Sequence, residues 1–225
     1  MKRVIASAVA IASLGLITDA IAYEPGDLVI RAGLTKVSPD ESSGNVIVND
    51  LGGNTGMQVS VDDSTQLGLN FVYFINQHLA IELLAATPFN HSINLENSAL
   101  GLGDGSLAET DQLPPTLSAL YYFSASDSVF QPYVGLGINY TIFFDESFDD
   151  TRQAQGFNSL ELDDSIGLSA QLGFDYTLND NWLLNTSLRY IDISTTAKFK
   201  VGNSAAKVDV DIDPWVYTLA IGYKF

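Results

Sequence analysis

The sequence predicts an all-β protein, an eight-stranded antiparallel up-and-down transmembrane β-barrel, and three observations carry that prediction. Short segments alternate apolar with small or polar side chains, and one parity holds a wide apolar face in each of them. The connections between those segments are alternately brief and long. No segment beyond residue 22 offers the roughly 20 apolar residues that a spanning helix needs. A chain of this kind enters a bilayer only as a closed barrel, because helices and barrels alone satisfy their backbone polar groups in hydrocarbon.

The last segment shows the pattern most plainly. Tyr217, Leu219, Ile221, Tyr223 and Phe225 share one parity, while Thr218, Ala220, Gly222 and Lys224 share the other. An alternating strand that closes on an aromatic suits a barrel whose exterior meets lipid and whose interior is small or wet. At the other end, Lys2 and Arg3 precede an apolar run from Val4 to Ile17, followed by the small-residue site Ala20-Ile21-Ala22. Residues 1–22 therefore read as a secretory signal peptide, and residues 23–225 as the barrel domain.

The first strand runs from Asp27 to Val37, with Leu28, Ile30, Ala32 and Leu34 outward and Val29, Arg31, Gly33 and Thr35 inward. Ser38 to Asp62 reads as a long polar loop holding a small β element at Val46–Val48. The second strand, Gln66–Phe74, turns at Ile75–His78 into the third, Leu79–Thr87, which carries Glu82 inward. Asn90 to Gln112 reads as another polar loop. Leu113-Pro114-Pro115 opens the fourth strand at a rim, where proline is tolerated, and Ser124–Ser128 turns the chain. In the fifth strand Pro132, Val134, Leu136, Ile138, Tyr140 and Ile142 face out, and Gly135 and Gly137 face in, leaving room or letting the sheet curl. Asp145 to Asp163 is the third long loop. The sixth strand, Ile166 to Tyr176, has Gln171 and Asp175 inward. The seventh, Trp182 to Tyr190, follows a short turn and has Arg189 inward. A hairpin near Gly202-Asn203 leads to the closing strand. Aromatics on the lipid parity sit near strand ends: Tyr73, Tyr121, Phe123, Tyr176, Trp182, Tyr223 and Phe225 at one interface, Tyr140, Tyr190 and Trp215 at the other.

Composition narrows the function. A net charge of −17 makes nucleic acid a poor partner. The absence of cysteine removes disulfides and thiolate metal sites, and no cofactor or metal is expected. The acid pairs, among them Asp62-Asp63, Asp145-Glu146 and Asp163-Asp164, read as solvated loop surface without EF-hand spacing. His91-Ser92 is no acyl-transfer pair, because neighbours on a strand point to opposite faces. No enzyme is expected.

Several segments together resemble the OmpW family of eight-stranded outer-membrane proteins. They are Glu82-Leu83-Leu84-Ala85-Ala86-Thr87-Pro88-Phe89, Leu113-Pro114-Pro115-Thr116-Leu117, Pro132-Tyr133-Val134-Gly135-Leu136-Gly137-Ile138-Asn139-Tyr140, and Asp213-Pro214-Trp215-Val216-Tyr217 through Phe225. The resemblance implies a small monomeric barrel in the outer membrane of a Gram-negative bacterium, with a narrow, partly apolar channel for hydrophobic molecules. It also implies relatives that import alkanes and similar compounds.

An eight-stranded barrel has room for side chains or one small ligand. The inward charges Arg31, Glu82, Asp175, Arg189 and Lys224 are expected to form a polar plug toward the periplasmic end. Leu84, Leu120 and Phe143, with the small Gly135 and Gly137, are expected to line an apolar lumen pocket above it, suited to a greasy solute that leaves sideways into lipid. Lys36, Lys198 and Lys200 sit at the outer rim, where they could meet lipopolysaccharide phosphates. Phe225 is the expected signal to the barrel-assembly machinery. The competing reading is a structural, adhesion or receptor barrel with a closed lumen and functional acidic loops. A soluble lipocalin-like barrel would need the opposite faces to be apolar.

Overall fold

Strand pairing closes the chain on itself. The computed structural model describes residues 23–48, 53–98, 102–124 and 128–225. The signal-peptide stretch, residues 1–22, lies outside the described residues, as do residues 125–127 of the expected Ser124–Ser128 turn. Among the described residues, eight antiparallel strands form the barrel: β1 (Leu28–Ser38), β2 (Ser64–Phe74), β3 (Leu79–Ala86), β4 (Thr116–Tyr122), β5 (Phe130–Phe148), β6 (Ser165–Thr177), β7 (Trp182–Ile191) and β8 (Trp215–Lys224). Each pairs with its neighbour in order. β8 returns to β1 in an unbroken register from Val29 opposite Lys224 to Ser38 opposite Trp215, so the wall has no edge. Short turns at one end use asparagine: the Asn76 side chain accepts from the His78 and Leu79 amides, and Asn179 from those of Asn181 and Trp182.

The parity of the wall is that of a membrane protein. Leu136 is 72% exposed and Leu219 62%, whereas Arg31 and Glu82 are fully buried. Aromatic rings cluster on the outer surface, Tyr121 against Phe123 and Trp182 against Tyr223 at the turn end, and Tyr190 against Trp215 at the other.

The three long polar stretches expected to be loops are largely strand. Asn90–Gln112 is instead a hairpin of Phe89–Glu96 with Gly105–Leu113. Within 145–163, β5 continues to Phe148, a short helix α1 spans Asp150–Ala154, and a strand covers Phe157–Leu162. The first loop carries Ser42–Ser43, Ile47–Val48, Gly53–Asn54 and Gln58–Val61. The hairpin near Gly202 consists of Ser194–Val201 and Ser204–Asp211. Together these elements extend the barrel beyond the bilayer. β5 is 19 residues long, about twice the 9–11 residues that cross a hydrocarbon core.

In this extension the alternation survives with its phase reversed. Phe89, His91, Ile93 and Leu95 are buried while Asn90 and Glu96 are exposed; Ala206, Val208 and Val210 are buried while Lys207, Asp209 and Asp211 are exposed. Water surrounds this part, so its apolar side chains turn inward and form a core of their own.

Leu136 lies midway between Phe130 and Tyr140 on the lipid face of β5. Leu136→Arg should lower unfolding free energy in lipid vesicles by about 2–4 kcal/mol. Urea titration followed by tryptophan fluorescence measures this, and an unchanged midpoint would contradict the outward assignment.

Candidate functional site

The barrel interior is layered from the turn end upward. At the base, Tyr23, Phe74, Tyr122, Tyr133 and Leu183 pack into an apolar floor, with Tyr23 stacked on Phe74 at 3.9 Å between ring centres.

Above the floor lies an ionic network. The Arg31 guanidinium donates to Asp175 at 2.6 Å, to Glu82 at 3.2 Å and to the Tyr122 hydroxyl at 2.5 Å, and its carbon lies 5.3 Å from the Tyr133 ring centre. Arg189 donates to Glu82 and, at 2.7 Å, to the Gln171 carbonyl. Neutral donors complete the carboxylates. Asn70 and Gln171 donate to Glu82 at 3.2 and 2.8 Å, and Asn185 and Tyr23 donate to Asp175 at 2.8 and 2.7 Å. Two guanidinium groups thus balance two carboxylates out of contact with solvent. Such charges are stable only when paired and hydrogen-bonded.

Four of the five charges expected in the plug meet here. Lys224 does not take that place: it sits lower, partly exposed, 3.6 Å from Asp27. The Lys224 position is the last inward one of β8, past the floor, where water can reach the amine. Tyr23, Asn70, Tyr122, Tyr133, Gln171 and Asn185 were not singled out from the sequence. Tyr23 precedes the first strand and has no parity to read; the inward parity of the others is legible, but a neutral side chain on that parity looks like ordinary lumen lining.

The expected apolar pocket is not one site. Leu120 belongs to the floor cluster. The space beside the two glycines is filled: a Cβ on Gly135 would fall 2.6 Å from Leu120 and 2.8 Å from Gln171, and one on Gly137 would fall 2.4 Å from the Ser118 hydroxyl. Leu84 pairs across to Asn70 and Thr116 in the middle of the lumen. That middle level is polar: the Thr35 and Thr218 hydroxyls are 3.2 Å apart, and Thr141 donates to Asn139 at 2.6 Å. Of the five residues, Phe143 lines the apolar cavity that does exist. Parity told which side chains face inward but not their height.

That cavity lies in the extension. Phe143, Phe148, Leu107, Phe199, Val208 and Ile212 supply much of its wall, and it leaves about 40 Å³ to the centre of a water-sized sphere. Its polar lining is Thr110, Thr195, His91 and Gln112. The Thr195 hydroxyl donates to the Asp163 carbonyl at 2.6 Å, and His91 Nδ1 donates to the Asp62 carbonyl at 2.8 Å. Burial pushes the His91 imidazole below its ordinary range, so it is neutral at physiological pH. His91 faces the cavity while Ser92 takes the opposite face, as alternation requires.

At the outer rim, Lys36 pairs with Asp63 and Lys198 with Asp163, each at 2.6 Å on the surface. Lys198 and Lys200 stand on the extension hairpin rather than on the barrel wall, and Lys207 lies across from Lys198 in register. Among the described residues no three acids or histidines converge as a metal site.

Residues 24–225 match the OmpW family model. Outer membrane protein W of Vibrio cholerae is 46% identical over the full length of both chains. The crystal structure of OprG from Pseudomonas aeruginosa superposes with a TM-score of 0.86 at 47% identity, covering 92% of this chain and 99% of that one. A more distant relative, 26% identical over 87% of each chain, is the dibenzothiophene metabolism operon protein PahQ of Pseudomonas aeruginosa.

Removing one partner of the ionic network should unbalance it. Arg31→Met leaves Glu82 and Asp175 with too few donors and should destabilise the barrel by about 3–5 kcal/mol. Arg31→Met with Asp175→Asn should recover part of that loss, read as the urea midpoint of refolded protein in vesicles.

Proposed function

This chain belongs to the OmpW family of outer-membrane barrels, and from that premise we propose that it takes up small hydrophobic molecules across the outer membrane. The observation that carries the reading is the position of the apolar cavity: above the bilayer, walled by aromatic and aliphatic side chains, over a lumen filled by polar and charged groups. An apolar solute gains free energy by leaving water for such a cavity. Below it, the solute would have to displace paired charges, which is costly. The remaining way out is sideways through the wall into lipid, and we propose that route. A relative named for dibenzothiophene metabolism, a pathway of a flat apolar compound, supports the same class of solute.

The cavity is small against the 300–1,000 Å³ of a drug-sized pocket. Uptake in this reading therefore includes a parting of the cavity side chains. Residues 1–22 act in it as the export signal, and Lys36, Lys198 and Lys200 as contacts to lipopolysaccharide phosphates.

Ala197 lines the cavity, and Ala197→Trp should fill it. Uptake of the apolar dye N-phenyl-1-naphthylamine by outer-membrane vesicles should fall several-fold with this variant, while heat-modifiable mobility on gels stays native. A purely structural or adhesive barrel predicts equal uptake with the native chain, the variant and no chain at all.

A further inference from the structure

The apolar cavity holds two polar atoms that its own walls leave unserved. His91 is 2% exposed and Gln112 1%, yet His91 Nε2 and Gln112 Nε2 have no hydrogen-bond partner. Both line the cavity. They stand on paired strands, where Phe89 lies opposite Gln112 and His91 opposite Thr110, so the two side chains are diagonal neighbours on the inward face. The Gln112 side chain is close enough to the imidazole to act on it as a hydrogen-bonding neighbour, but neither Nε2 has a partner in hydrogen-bonding geometry.

Their hydrogen-bonding roles are fixed. The Asp62 carbonyl can only accept, so it holds the proton on Nδ1 and leaves Nε2 of the neutral ring as a bare acceptor. The Gln112 Nε2 can only donate. One acceptor and one donor thus sit side by side in walls that are otherwise apolar. The two threonine hydroxyls of the lining do not compete for this pair: Thr195 donates to the Asp163 carbonyl, and Thr110 lies within 3.4 Å of the Asp111 and Phe144 carbonyls.

We propose that this pair selects, among hydrophobic molecules, those bearing a hydroxyl, the class of long-chain alcohols and phenols. The inference rests on the uptake reading and specifies its solute. A hydroxyl donates to Nε2 through its hydrogen and accepts from the Gln112 amide through its oxygen, so one group satisfies both atoms while its hydrocarbon fills the apolar space. An alkane leaves both atoms unpaired, each at the cost of a buried polar group. An ionised carboxylate has no hydrogen for Nε2 and brings a charge into an apolar wall. A water molecule would keep its second hydrogen against hydrocarbon, and water sites usually offer two to four polar partners.

The chain has two histidines, so ¹⁵N-histidine labelling in lipid nanodiscs reports on His91 directly. His78, at the turn end with its Nδ1 2.9 Å from the Tyr122 carbonyl, serves as internal reference. Adding 1-octanol should move the His91 Nε2 resonance upfield, as a hydrogen bond to a bare nitrogen does, and octane should not. Octanol should also bind about tenfold more tightly than octane, and His91→Phe or Gln112→Leu should remove most of that preference. Two variants guard against one that fails to fold, and the comparison in the native chain needs neither. Octane and octanol binding equally, with Nε2 unmoved, overturns the hydroxyl assignment and leaves apolar uptake standing. If neither solute reaches the cavity, the uptake reading falls and this inference with it.

Discussion

A strand that passes from hydrocarbon into water must exchange its greasy face for its polar one, and the architecture of this protein follows from that exchange. β5 shows it within one continuous element. Along its lower part Leu136 and Ile138 point out, and Gly135, Gly137 and Asn139 point in. Along its upper part Phe143 and Phe148 point in, and Asp145 and Ser147 point out. The backbone ladder is indifferent to the change, because its hydrogen bonds close around the ring in either solvent. Side chains alone record where the membrane ends.

Two interiors of different character result. Inside the lipid-crossing wall the exterior already satisfies the apolar side chains, so the lumen can be filled with paired charge and hydroxyls. Arg31, Glu82, Asp175 and Arg189 occupy volume that a soluble barrel would give to leucine. Above the membrane the logic is that of a water-soluble sandwich, and the core of phenylalanine, valine and isoleucine returns. The apolar cavity belongs to this second interior, at the end of the barrel opposite the short turns.

The barrel wall is legible in the sequence strand by strand, since apolar-out alternation in lipid is coarse: Leu34, Leu136, Ile138 and Leu219 all lie on the face that parity gives them. The extension is not. Phe89-Asn90-His91-Ser92-Ile93-Asn94-Leu95 alternates as regularly as any barrel strand, but with more than half its residues polar and a polar, glycine-containing stretch after it, the segment reads as loop. The four central charges could be found because a charge on the lumen parity has few places to go. Their neutral partners could not, and Lys224 was misplaced because parity carries no information about depth. No apolar site lies beside Gly135 at the level of the bilayer, because Leu120 and Gln171 already occupy the room it leaves.

The acidity of the chain acquires a meaning from where its cations are spent. Two of the arginines are sunk in the barrel, Arg152 is buried against the carbonyls of Leu102, Gly103 and Ser106, and two surface lysines are clasped by aspartates. With Lys200 and Lys207 the cations left exposed on the extension hairpin, the net field reaching the medium there is that of its more numerous carboxylates. Such a field fades over about 8 Å at physiological ionic strength. A field of this kind leaves an uncharged molecule unaffected and repels an anion only at short range. The extension thus sets a short-ranged negative surface over an apolar, uncharged core.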